Sequence, residues 1–170
     1  RCWNTYGHGE IAMRKAIEQS CNAFFCHLGH SIGYDPIYEE AHRLGLGTPT
    51  GIDLPSEGGG LLPTGAWKEK QMRDAWRPGD TCQISIGQGL LLTTPLQMAL
   101  LTSVFANGGT VYRPHLVRRA GLPEARNTMA WPPEAIALVR GGMHDVAELG
   151  TGRRVRVRGT AVAAKTGTAE

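Results

Sequence analysis

A chain of 170 residues, 41% hydrophobic and 19% charged, is long enough for one domain and too apolar for a disordered tail. Its net charge of +3 is too small to single out nucleic acid as a partner, and no apolar run reaches the ~18–20 residues of a membrane span. The 23 glycines and 10 prolines follow no collagen-like period and announce many turns.

In chain order, the spacing of Ile11, Ala12, Ala16 and Ile17 predicts a helix from Glu10 to Gln19. Ser20-Cys21-Asn22 interrupts it, because Ser and Asn side chains compete for backbone hydrogen bonds. A second apolar helix is predicted from Ala23 to about Ile32, and a third from an Asp35 cap and Pro36 to a stop at Gly45. Gly47 to about Gly89 reads as a long loop held down by Trp67 and Trp76. Thr94-Pro95-Leu96-Gln97 is a capping box that starts a helix ending at Asn107-Gly108-Gly109. A further helix is expected after Trp131-Pro132-Pro133, to about Leu149. Val155 and Val157 alternate with arginines, and Ala161 to Lys165 is small and extended, so this end is expected to form two strands. The expected class is α/β in the broad sense, an α+β arrangement of helices on an antiparallel sheet.

Two short motifs carry chemistry. Ser20-Cys21-Asn22 is an S-x-N tripeptide, and Lys165-Thr166-Gly167-Thr168 is a K-T-G-T run. Penicillin-interacting enzymes use such a pair beside a nucleophilic serine in S-x-x-K. A hydroxyl and an amide, here Ser20 and Asn22, can relay a proton and hold a substrate backbone. Lys165 supplies positive charge for a substrate carboxylate, and Thr166 and Thr168 add hydroxyl donors. Gly167 has no side chain, so a substrate can lie against it as an added strand. Taken singly, S-x-N is a common helix cap and K-T-G-T is an ordinary strand end with a glycine turn.

Their order along the chain extends the pattern. Gly7-His8-Gly9, Gly45-Leu46-Gly47 and Thr50-Gly51-Ile52-Asp53-Leu54-Pro55 come first. Gly79-Asp80-Thr81, Ser85-Ile86-Gly87-Gln88-Gly89, Ala106-Asn107-Gly108-Gly109 and Pro114-His115 then precede K-T-G-T. The whole set resembles the transpeptidase domain of class B penicillin-binding proteins, and Arg1-Cys2-Trp3 with Gly7-His8-Gly9 is most similar to the cell-elongation members. The resemblance implies a penicillin-binding or serine β-lactamase-like fold and a D,D-transpeptidase that cross-links peptidoglycan stem peptides through a serine acyl-enzyme. It implies Ser20, Asn22 and Lys165 as catalytic residues and Thr166, Gly167 and Thr168 as substrate-binding residues. Stem peptides, β-lactam antibiotics, a membrane-embedded glycosyltransferase and elongation-complex proteins are the implied partners, with no nucleic acid. The implied place is the periplasmic face of the bacterial inner membrane, through an N-terminal anchor outside this chain. A serine β-lactamase, a D,D-carboxypeptidase or a non-catalytic penicillin-recognising sensor are the alternatives.

One departure stands out: no S-x-x-K occurs in the 170 residues. Residues 1–170 are therefore expected to be part of one transpeptidase domain, lacking the nucleophile segment and the strands after K-T-G, and to be inactive alone.

The chemistry requires no cofactor, but Cys2, His8 and Cys21 offer zinc-type donors, to be completed by a fourth ligand from outside the chain. A buried Cys21 thiol with a capping His8, or a Cys2–Cys21 disulfide, are the other readings. Cys26, in an apolar helix, is expected to be a core thiol. Arg153, Arg154, Arg156 and Arg158 form a basic face, solvated or in contact with anionic lipid or glycan. Ser85 to Gly89 lacks the Lys-Ser/Thr of a phosphate loop and reads as a packing turn.

Overall fold

A computed structural model describes residues 2–117, 121 and 123–167, and among these described residues there are seven α-helices and one short hairpin. The helices are α1 (Met13–Glu18), α2 (Asn22–Ile32), α3 (Tyr34–Arg43), α4 (Gly65–Met72), α5 (Pro78–Ser85), α6 (Pro95–Asn107) and α7 (Pro133–Glu148). The strands are β1 (Thr110–Tyr112) and β2 (Ala125–Thr128), paired antiparallel with an irregularity between Val111 and Tyr112.

α1 packs on α7, and this contact sets the position of Ser20. Ile17, Met143 and Val146 form the buried centre, with Met13, Phe25, Phe105 and Ala164 packed around it. Ile17, Met143 and Val146 each contribute roughly 1.5–3 kcal/mol by leaving water. A helix interior normally disfavours glycine, yet α7 carries Gly141-Gly142. A Cβ on Gly142 would lie 2.9 Å from Ile17 Cβ, so glycine there is what lets the two helices approach. Arg14 adds a fork to Asp145 at 2.5 and 2.9 Å. A second core of Val104, Val111 and Met129, flanked by Leu44 and Trp131, holds the hairpin to α6.

The capping box is present as read: Thr94 N donates to Gln97 Oε1 at 2.9 Å and Gln97 N to Thr94 Oγ1 at 3.2 Å. Gln97 is buried, and its amide also reaches Thr48 O at 2.9 Å and Gly59 O at 2.8 Å, pinning the preceding loop. α3 is capped by Gly33, not Asp35, which lies in its first turn.

The segment from Gly47 to Gly89 is not all loop: α4 and α5 lie within it. Thr64 caps α4 by accepting from Trp67 N, and Pro78 opens α5. The buried Lys68 ammonium joins them, bonding Asp74 and Asp80 each at 2.8 Å. Trp76 is an anchor as expected, stacking on Tyr34 at 4.2 Å and donating to Thr81 Oγ1 at 2.9 Å.

Three further expectations are corrected. The predicted first helix is shorter, since regular α-helix begins only at Met13. Residues 153–155 are a 3-10 turn, Val157 forms a single bridge to Thr160, and 161–167 belongs to no strand. A strand needs a neighbour to satisfy its backbone groups, and among the described residues this segment has none beside it. Cys26 is not a free core thiol; it is disulfide-bonded to Cys82 across 56 residues of sequence. Closing a span of that length removes about 4 kcal/mol of chain entropy from the unfolded state.

Candidate active site

Ser20 follows α1 directly and has φ +50°, a conformation uncommon for a residue with a side chain. Its amide donates to Ile17 O at 3.1 Å, so the chain turns sharply and α2 starts almost at once with Asn22. The S-x-N motif thus sits at the corner between two helices, with Ile17 of α1 rooted in the core.

Lys165 arrives from the far end of the sequence. Ala164 packs against the α1–α7 core, and its amide donates to Met143 O at 2.9 Å, docking this point of the segment on α7. Lys165 Nζ then donates to Ser20 Oγ at 2.6 Å and to Thr166 O at 2.8 Å. Partial desolvation in the cleft lowers the Lys165 pKa below the usual lysine value. The Thr166 hydroxyl pairs with Thr151 Oγ1 at 2.8 Å.

These groups form one end of a cleft of about 740 Å³. Ser20, Asn22, Lys165, Thr166 and Gly167 line the polar end; Phe25, Leu46, Leu92, Met98 and Leu101 line an apolar wall. Leu92 is 60% exposed and Met98 43%, so this wall is open to a ligand. The structure therefore brings Ser20, Asn22, Lys165, Thr166 and Gly167 together, while Thr168 lies outside the described residues. The turn at Ser85 to Gln88 lines the same cleft. Thr151 was not singled out in the sequence, and no signal marks it: a threonine after Leu149-Gly150 looks like any turn residue.

Chemically, an ammonium beside a hydroxyl, in a cleft with one apolar wall, suits a ligand that carries a carboxylate. Because Lys165 donates to Ser20 Oγ, the Ser20 hydrogen is directed elsewhere, and the pair can pass a proton.

The predicted metal ligands also converge. The donor atoms of Cys2, His8 and Cys21 lie within 4.8 Å of one another, and Cys2 Sγ is 3.5 Å from His8 Nδ1. His8 Nε2 is buried with no hydrogen-bond partner among the described residues. Neither thiol is in a disulfide. Burial alone would raise the Cys2 thiol, but the backbone N–H groups of Asn4, Asn22 and Ala23 outweigh it and hold its pKa below the ordinary value. Burial raises that of Cys21. Two thiols and an imidazole with an orphaned nitrogen fit zinc. The cluster touches the first turn of α2, the turn that carries Asn22.

The sequence matches the penicillin binding protein transpeptidase domain over residues 1–170. The chain belongs to the penicillin-binding transpeptidase family. It is 37% identical to peptidoglycan D,D-transpeptidase MrdA of Acinetobacter baumannii, over 100% of this chain and 27% of that protein. Its fold is similar to penicillin-binding protein 2 of Pseudomonas aeruginosa, with a TM-score of 0.83 and 34% identity over 91% of this chain and 37% of that one. It is likewise similar to penicillin-binding protein 2 of Helicobacter pylori in its complex with MreC, with a TM-score of 0.84 and 32% identity over 96% of this chain and 31% of that one. The chain spans less than a third of the length of the curated relatives it matches. The expected family and fold class are thereby borne out, with the sheet at β1–β2 rather than at the K-T-G end.

Proposed function

We propose that the full-length protein is a peptidoglycan D,D-transpeptidase of the elongation type, and that this chain supplies the part of its site that binds substrate and relays protons. The observation that carries the reading is the Lys165–Ser20 bond of 2.6 Å between residues 145 apart in sequence, at the polar end of a half-apolar cleft. In the reaction a serine outside this chain attacks the penultimate D-Ala carbonyl of a stem peptide, expels the terminal D-Ala, and passes the acyl group to an acceptor amine. Lys165 and Thr166 hold the terminal carboxylate, and Asn22 holds the peptide amide. Ser20, polarised by Lys165, relays the proton to the leaving amine. β-Lactams place a carboxylate and a strained amide in the same positions and form a stable acyl-enzyme. Among the described residues no helix is long and apolar enough to cross a membrane. Anchoring at the periplasmic face of the inner membrane, and assembly with elongation proteins and a glycosyltransferase, belong to this reading for the whole protein. The relative in complex with MreC supports the kind of partner.

The test is labelling of the full-length protein by a fluorescent penicillin. Wild type is expected to label stoichiometrically, and Lys165→Ala to lose at least about a hundredfold in acylation rate, since the carboxylate loses its cation. Labelling of Lys165→Ala within a few-fold of wild type contradicts the assignment. Rapid release of the label, with hydrolysed penicillin accumulating, would point instead to a β-lactamase.

We propose further that Cys2, His8 and Cys21 hold a structural zinc with a fourth ligand from outside this chain. Bound there, zinc would tie the loop before α1 to the turn that carries Ser20 and Asn22. Metal analysis is expected to give one equivalent per full-length protein, and chelation to lower its melting temperature. Zinc well below one equivalent, with melting unchanged by chelator, contradicts it.

A further inference from the structure

α2 and α5 touch along one line of small contacts. At Gly29 the approach is so close that a Cβ would lie 1.9 Å from Ser85 Oγ, so only glycine fits. One helical turn earlier on both helices are Cys26 and Cys82, joined by a disulfide with Cα atoms 4.4 Å apart. Each helix meets the cleft at one end. α2 begins at Asn22, one turn before Cys26, and α5 ends at Ser85, one turn after Cys82, running into Ile86, Gly87 and Gln88. The bond therefore joins two walls of one cleft close to the residues that line it. Cys26 and Cys82 are both half-buried, and the donor atoms of His30, an exposed residue, and of both cysteines lie within 4.8 Å of one another.

We propose that Cys26–Cys82 is a positioning disulfide that fixes the Asn22 wall of the cleft against the Ser85–Gln88 wall, and that the full-length protein acquires it in an oxidising compartment. The proposal rests on the reading of the cleft as a penicillin- and stem-peptide-binding site. Formation is a thiol–disulfide exchange with a disulfide-carrying oxidoreductase. One thiol gives its proton to His30, and the thiolate attacks the oxidant's disulfide to form a mixed disulfide. The second thiol gives its proton to the oxidant's first released sulfur and, as thiolate, attacks the protein sulfur of the mixed disulfide. The oxidant's other sulfur leaves and takes the proton from His30, so two electrons and two protons pass from Cys26 and Cys82 to the oxidant, which departs as a dithiol. Cys2 and Cys21 are not needed for any step.

The experiment uses the full-length protein, with non-reducing peptide mapping of the sample as isolated. Acylation by fluorescent penicillin is then compared between wild type and the Cys26→Ser/Cys82→Ser double variant, well below both melting temperatures. The map is expected to show Cys26 linked to Cys82. The variant is expected to melt roughly 5–10 °C lower. Its acylation rate constant should fall about tenfold, with the half-saturating penicillin concentration raised, because the walls no longer hold the ligand in register. Reduction of wild type, followed by reoxidation without any change of sequence, should lose and regain the rate, which keeps the test independent of whether the variant folds. Free thiols at both positions in the isolated protein overturn the proposal. So does a fully folded variant that melts lower but acylates within twofold of wild type, since that is a staple with no positioning role. A wild type that takes no label at all overturns the cleft reading, and the positioning role falls with it, whatever the peptide map shows.

Discussion

The two halves of the polar end of the cleft meet at 2.6 Å but are held in different ways. The Ser20 half is fixed from several directions. Ile17 is in the core, Arg14 grips Asp145, Trp3 Nε1 donates to Gln19 O at 2.7 Å, and the next helix is bonded through Cys26 to α5. The Lys165 half is docked on α7 by the Ala164 amide and the Ala164 methyl, and on the turn after α7 by the Thr151–Thr166 hydroxyl pair. One half is built into the fold, and the other is docked onto it. The difference teaches that the position of the lysine depends on few contacts, so single changes beside it should reach the chemistry, whereas single changes in the α1–α7 contacts beneath Ser20 should be absorbed as stability.

The comparison can be broken on the docked side first. Thr151→Val removes the hydroxyl partner of Thr166 while keeping the volume, and it is expected to slow penicillin acylation of the full-length protein by about three- to tenfold. Its melting temperature should stay within a degree or two. A rate unchanged within error would mean that Thr166 is held by something other than Thr151.

A smaller effect is expected on the built-in side. Asp145 is 15% exposed, and its carboxyl pKa is held below the ordinary 3.8 chiefly by the Arg14 hydrogen bond. A carboxyl with a depressed folded pKa stabilises the fold fully above its unfolded value, and the contribution is lost as pH falls through the folded value. Asp145→Asn should therefore lower the melting temperature at pH 6 but leave the acylation rate nearly unchanged there. The gap in melting temperature should close as the pH is taken below about 3.8. A gap that stays constant with pH would show that Asp145 acts by packing and not by charge.

The parts legible in the sequence are those that local chemistry decides. Thr94 and Gln97 announce their helix because both halves of the capping box lie within one turn. Pro133 likewise stands at the start of α7. S-x-N and K-T-G were legible as motifs, but their 2.6 Å meeting was not, because it depends on how α1 and α7 pack. The two valines near the end suggested a strand, yet alternation reports a preference that only a neighbouring strand can realise. Short α4 and α5 were missed because their eight residues each carry little apolar periodicity, and their ends are set by Thr64 and Pro78. Cys26 and Cys82 could be counted but not paired, since nothing local links residues separated by 56 positions.

The most direct test is a double-mutant cycle on Ser20 and Lys165 in the full-length protein, read as the rate constant of penicillin acylation. If the two act as one relay, Ser20→Ala on top of Lys165→Ala should cost less than about threefold, although each single change costs about a hundredfold or more. Two large losses that multiply would contradict the shared relay and leave Ser20 and Lys165 as neighbours with separate tasks.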